Sequence, residues 1–174
     1  MLIHPEQLVD NVSRISCGDE HGTGFFISPT RLLTARHVIV DHITDACEII
    51  LQTSNVDRNG MIQFQGKLID HDEKLDVAII ELIEERPIQT FIPVALDYIR
   101  YNEEWDTFGY PFAKLAEGLT LNGTILALIR NLPYDISLVS DDVDTRLSYS
   151  GLSGSPLIMF GKVSGIITWS TIRG

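Results

Sequence analysis

Two cysteines in 174 residues, Cys17 and Cys47, are too few to staple a fold. The start, Met1-Leu2-Ile3-His4-Pro5-Glu6, lacks the basic segment and apolar core of a secretory leader. Reduced thiols and a cytosolic location are therefore expected, and the sequons at Asn11 and Asn122 carry little weight. No run approaches the ~20 apolar residues of a membrane span. Basic residues are also scarce: 13 Lys and Arg against 24 Asp and Glu give a formal net charge of −11 and a pI near 4.7. A chain short of clustered cations is poorly suited to nucleic acid or an anionic membrane, so neither is expected as a partner. The five histidines and two cysteines show no ligand spacing, so no metal site and no cofactor are expected. Helix signals are confined to Pro5 to Asn11 and a short stretch after His37.

What remains is strand. The chain is 44% hydrophobic and 21% charged, a globular composition long enough for one ample domain or two small packed halves. Val12 to Cys17 alternates apolar and polar side chains, the period of a half-buried strand. Gly18 to Gly24 reads as a loop. Phe25 to Ser28 and Leu32 to Ala35 read as a hairpin turning at Pro29-Thr30-Arg31. Further strands are expected at Glu48 to Gln52, Met61 to Asp70 (after an Asn59-Gly60 turn) and Val77 to Ile83. Another ends in the turn at Thr107 to Pro111. Leu119 to Ile129 forms a long strand in which Gly123 fits a bulge or bend. Ile136 to Val139, Pro156 to Phe160 and Lys162 to Thr168 complete the set. Many short strands with little helix imply an all-β sandwich or barrel. The polar stretch Glu84 to Thr90 reads as an exposed connection within a single domain, residues 1–174. The halves it joins run from about 12 to 83 and from 103 to 170, with residues 84–102 between them.

The chemistry concentrates at Tyr149-Ser150-Gly151-Leu152-Ser153-Gly154-Ser155-Pro156. A serine flanked by Gly151 and Gly154 sits on backbone free to turn sharply. Such a turn can aim successive N–H groups into one anion-binding concavity. Taken alone, the stretch reads first as an ordinary Gly/Ser turn ahead of a strand. A serine hydroxyl needs a base, and histidine is the usual one. His4 lies at the terminus, His21 in a polar stretch, and His42 and His71 beside Asp41 and Asp72 on solvated segments. His37 differs, standing at a strand end between two apolar runs, where its ring needs a partner; alone, it also fits a capped core histidine. The imidazole in turn needs a carboxylate. Asp76 stands at the mouth of the most hydrophobic strand, where it either orients an imidazole or merely caps a turn.

Together the motifs carry a family resemblance. Gly24-Phe25-Phe26-Ile27, Leu33-Thr34-Ala35-Arg36-His37-Val38, Leu75-Asp76-Val77-Ala78 and Gly151-Leu152-Ser153-Gly154-Ser155-Pro156 resemble the trypsin-like serine peptidases, the compact bacterial HtrA-like branch most of all. The candidates come in the order His, Asp, Ser, 39 and then 77 residues apart. Phe108-Gly109-Tyr110-Pro111 and Gly165 to Ser170 agree as well. The resemblance implies a double six-stranded β-barrel of the chymotrypsin type with a cleft between barrels. It implies a serine endopeptidase acting on a protein or peptide through an acyl-enzyme. Ser153 would be the nucleophile, His37 the base and Asp76 its orienting carboxylate. The amides of Gly151 and Ser153 would form the oxyanion hole. Thr168 would lean on the aspartate, and Thr168, Trp169 and Ser170 would line the substrate backbone. Leu147, six residues before the nucleophile, would form the base of the primary pocket beside Ser148 and favour an apolar or small side chain.

Three departures qualify this picture. Leu152 replaces the aspartate that digestive members pair with a freshly cut N-terminus, so activation by that cleavage is not expected. Ser155 replaces a common glycine. The chain stops just past Trp169, so the family's last strand and terminal helix are missing or lie outside it. A protease domain of a larger regulated protein, with a regulatory domain or partner chain, would fit. The rival readings are a catalytically idle protease-like binding module and an esterase with the same triad.

Overall fold

In the computed structural model, residues 5–55, 60–85, 90–95, 99–129, 135–140, 144 and 147–168 are described. A short helix α1 (Pro5–Asn11) leads into six strands: β1 (Val12–Cys17), β2 (Glu20–Phe26), β3 (Arg31–Ala35), β4 (Ile49–Asn55), β5 (Gly60–Asp72) and β6 (Val77–Leu82). They close an antiparallel barrel in the order β1-β2-β3-β6-β5-β4. Between β3 and β4 lie a 3₁₀ turn (Arg36–Ile39) and helix α2 (Val40–Asp45). The second half comprises β7 (Glu104–Gly109), β8 (Leu119–Ile129), β9 (Asp135–Val139), β10 (Pro156–Met159) and β11 (Lys162–Ile166). Among the described residues these form a five-stranded sheet ordered β11-β10-β7-β8-β9 rather than a second closed barrel of six. Residues 93–95 run beside β11, with Ala95 N–H donating to the Val163 carbonyl and Val163 N–H to the Pro93 carbonyl, each at 2.9 Å.

Strand alternation builds more than one core from the same residues. Successive side chains on a strand face opposite ways. Phe26 and Leu32 therefore point into the barrel, among Ile15, Leu51 and Ile80. Their neighbours Phe25 and Leu33 point outward into a seam shared with Phe108, Tyr110, Ile158 and Val163 of the second half. Adjacent apolar residues such as Phe25-Phe26 mark a strand buried on both faces. Strands of this kind join the two halves through one shared apolar seam. A third cluster, including Trp105, Leu121, Ile125 and Leu152, fills the second half.

One expectation is corrected here. Only Gly18-Asp19 of the expected loop at Gly18 to Gly24 is a turn, and β2 begins at Glu20. The glycines there mark close packing of a strand. A side chain at Gly22 would run into Val38, and one at Gly24 into Ile15 and the Leu33 carbonyl. Gly123 likewise answers to a close approach, the Val139 carbonyl, while the register shift lies two residues on, between Ile125 and Ala127. Asn59 of the proposed turn lies outside the described residues, as do residues 86–89 of the connection.

Tyr110 is 1% exposed at the seam, edge-on to Phe108. Burial pushes its hydroxyl up to about 12. The unfolded chain ionises this tyrosine near pH 10 while the folded chain keeps it neutral. Stability is thus fully present below about pH 10 and falls as pH rises from there toward 12, by about 2–3 kcal/mol at most. Urea unfolding between pH 9 and 12 should show this loss, and Tyr110→Phe should reduce it.

Candidate active site

His37 and Asp76 meet because the strands that precede and follow them are paired. β3 runs antiparallel to β6 with Ala35 opposite Val77, so the residues just beyond Ala35 and just before Val77 face each other. Asp76 then holds His37 through two oxygens. Its Oδ1 accepts the His37 main-chain N–H at 3.0 Å, and its Oδ2 lies 2.7 Å from His37 Nδ1. The Asp76 carbonyl also accepts the Arg36 N–H at 3.0 Å. Asp76 has φ +51, in the left-handed region that costs a non-glycine residue energy. The three hydrogen bonds offset that cost. With Nδ1 committed to the carboxylate, the other ring nitrogen is left for proton exchange. The His37 side chain is 42% exposed, so a substrate can reach it.

Ser153 lies on a loop pressed against the same strand end. A side chain at Gly154 would collide with the Thr23 carbonyl and Thr34 Oγ1, and would sit 3.0 Å from Ala35 N. Gly154 and Gly151 have φ +89 and +99, which only glycine adopts readily. Between them the loop's hydrogen bonds follow a pattern. The carbonyl of Tyr149 accepts from Leu152 N–H (3.1 Å), that of Ser150 from Phe112 N–H (2.6 Å) and that of Leu152 from Ser155 N–H (2.9 Å). The Gly151 carbonyl accepts from Thr23 Oγ1 at 2.8 Å, and the Ser153 carbonyl from Thr23 N–H at 2.8 Å. Every carbonyl from 149 to 153 thus has a donor. The Gly154 amide is bonded as well, to the Ile167 carbonyl at 2.6 Å. Among the described residues, the amides of Gly151 and Ser153 have no acceptor. Peptide groups are planar and trans here, so each of these N–H groups points away from the carbonyl bonded on its own peptide.

The Ser153 hydroxyl donates to the Thr168 carbonyl at 3.2 Å rather than to His37. Thr168 contributes that carbonyl, and among the described residues its hydroxyl makes no bond to Asp76. Leu147 is half-buried against the cluster of Trp105 and Leu121, while Ser148 is exposed. Trp169 and Ser170 lie outside the described residues. The other histidines are elsewhere: His21 lies near Ser16 Oγ (3.2 Å), His42 Nδ1 lies 2.6 Å from the Cys47 carbonyl, and His71 is exposed on β5. Among the described residues, no three His, Cys, Asp or Glu side chains converge as metal ligands would. Sequence reasoning missed Thr23, Tyr110 and Phe112, whose contacts hold the loop. The available signal was a hydroxyl residue between two glycines, Gly22-Thr23-Gly24.

A family model described as a trypsin-like peptidase domain matches residues 22–166. The chain belongs to that family. This trypsin-like domain is 28% identical over 149 residues to the mitochondrial Protease Do-like 4 of Arabidopsis thaliana, covering 83% of this chain and 27% of that protein. It therefore spans about a quarter of that relative. Its fold matches the crystal structure of Deg5 with a TM-score of 0.73 at 21% identity, covering 95% of this chain and 82% of that one. It matches the serine endoprotease from Yersinia pestis with a TM-score of 0.72 at 21% identity, covering 95% and 56%. The architecture is that of the chymotrypsin-like double barrel, with the second half open among the described residues.

Leu152 is 2% exposed and belongs to the apolar cluster of the second half. It anchors the trypsin-like domain's loop by burial, where an aspartate would need a cation. Leu152→Asp should therefore strand a buried carboxylate and cost several kcal/mol, whereas Leu152→Met should cost less than about 1.5 kcal/mol. Urea denaturation of both variants measures the difference.

Proposed function

We propose that this domain is a serine endopeptidase. The two unoccupied amides of Gly151 and Ser153, in a loop whose intervening carbonyls are all held, carry the reading. An oxyanion hole acts through donors fixed before the charge develops, and two amides left free among the described residues are available for that role. The His37–Asp76 pair supports it further. In the proposed mechanism, Ser153 Oγ attacks the scissile carbonyl carbon as His37 takes the hydroxyl proton. The carbonyl oxygen becomes an oxyanion that the two amides bind. The C–N bond breaks, His37 gives its proton to the leaving amine, and the acyl group remains on Ser153. Water then attacks the acyl ester, giving a proton to His37, which returns it to Ser153. Asp76 fixes the tautomer and stabilises the imidazolium.

The hydroxyl must first leave the Thr168 carbonyl. An extended substrate laid along Thr168, Trp169 and Ser170 as an added strand would present an N–H to that carbonyl and free Ser153 for His37. Leu147, lacking charge, suits an apolar or small residue before the scissile bond. The length of the Arabidopsis relative agrees with a larger protein that supplies regulation.

The Ser153–Thr168 bond also favours a second reading, an idle binding module with the serine permanently parked. Incubation with a fluorophosphonate probe and a denatured protein separates the two. The peptidase should label at Ser153 and cleave, and Ser153→Ala should lose label and lower kcat by ~10⁶-fold while keeping its unfolding midpoint. A folded wild type that neither labels nor cleaves would favour the idle module.

A further inference from the structure

Thr23 is a buried residue, 0% exposed, on β2 of the first barrel. Each of its polar groups is engaged. Its N–H donates to the Ser153 carbonyl at 2.8 Å, and its carbonyl accepts from Thr34 Oγ1 at 2.7 Å. Its hydroxyl donates to the Gly151 carbonyl at 2.8 Å and accepts from Tyr110 N–H at 3.0 Å. One residue thus ties the first barrel, the end of β7 and both ends of the Gly151-Leu152-Ser153 segment, its side chain holding Gly151 and Tyr110 and its main-chain N–H holding Ser153.

We propose that Thr23 is a positioning residue that holds the oxyanion loop in its binding conformation. Its hydroxyl ties the loop by hydrogen bonds at Gly151, beside Leu152, which anchors it by burial. The inference rests on the peptidase reading above. A hydroxyl is suited to this point because it donates and accepts through one atom. Space is limited too, since a side chain at Gly109 would lie 3.0 Å from Thr23 Oγ1. Removing the hydroxyl leaves the Tyr110 N–H and Gly151 carbonyl buried without partners. The peptide after Gly151 then gains by rotating toward another donor, and Gly151 resists rotation least of any residue. Tyr110 loses its anchor too, two residues before the Phe112 N–H that holds the Ser150 carbonyl, so the peptide that carries the Gly151 amide, one half of the proposed hole, is loosened as well.

The test compares wild type with Thr23→Ser, Thr23→Val and Thr23→Cys. Thr23→Ser keeps the hydroxyl, Thr23→Val keeps the shape without it, and Thr23→Cys supplies only a weak hydrogen-bonding thiol if the valine variant fails to fold. Inactivation by a fluorophosphonate probe separates binding from chemistry, with thermal unfolding as the check on folding. For Thr23→Val, kinact should fall ~10²-fold with KI nearly unchanged. Thr23→Ser should stay within about threefold of wild type and Thr23→Cys should fall between, because the chemistry follows the hydroxyl. A role confined to stability would lower the unfolding midpoint and leave kinact of the folded enzyme at the wild-type value, which would overturn the inference alone. A wild type that takes up no probe would overturn the peptidase reading and this inference with it.

Discussion

Buried backbone carbonyls must find donors, and the nucleophile loop is shaped by that requirement. Five successive carbonyls, from Tyr149 to Ser153, are bonded within the loop or to Phe112 and Thr23. Because each peptide is rigid, fixing its oxygen also fixes the N–H on its far side. Among the described residues, two amides are left with no protein acceptor. The proposed chemistry depends on this exclusion: a loop free to turn would bond its own amides and have nothing to offer an anion.

The same economy governs the carboxylate–imidazole pair. Asp76 is held in an unfavourable backbone conformation by the pairing of β3 with β6 and by its three bonds to Arg36 and His37. The loop docks on the end of β3 because Gly154 lets it approach Thr23, Thr34 and Ala35. Alternation along β2 and β3 supplies the rigid base, with Phe26 and Leu32 locking the barrel while Phe25 and Leu33 lock the seam. Ordering two side chains and a loop where two halves of the fold meet is entropically costly. Here the apolar packing of both halves and of the seam between them offsets that cost.

Much of this was legible in the residues. The strands read correctly at Val12–Cys17, where alternation was clear, and at the long stretch Leu119–Ile129. His37 and Asp76 stood out because polar groups at the mouths of apolar strands need partners, and the structure pairs them directly. β2 was misread at its start because glycines that allow close packing look like glycines that make turns. Thr23 was invisible because its partners at Tyr110 and Gly151 are 87 and 128 residues away, and no local pattern encodes such contacts. The role of Leu152 was read as a loss. Its burial among Trp105, Leu121 and Ile125 shows what replaces the missing charge.

The central claim is that the loop is built to bind an oxyanion before any substrate arrives. A crystal structure of the domain with a peptide boronate tests it most directly. The account predicts a covalent bond from Ser153 Oγ to boron and one boronate oxygen about 2.7–3.1 Å from the amides of both Gly151 and Ser153, with the Ser150 carbonyl still on Phe112. A boronate bound with that oxygen in solvent, or a Ser150–Gly151 peptide found turned so that its carbonyl fills the site, would contradict it.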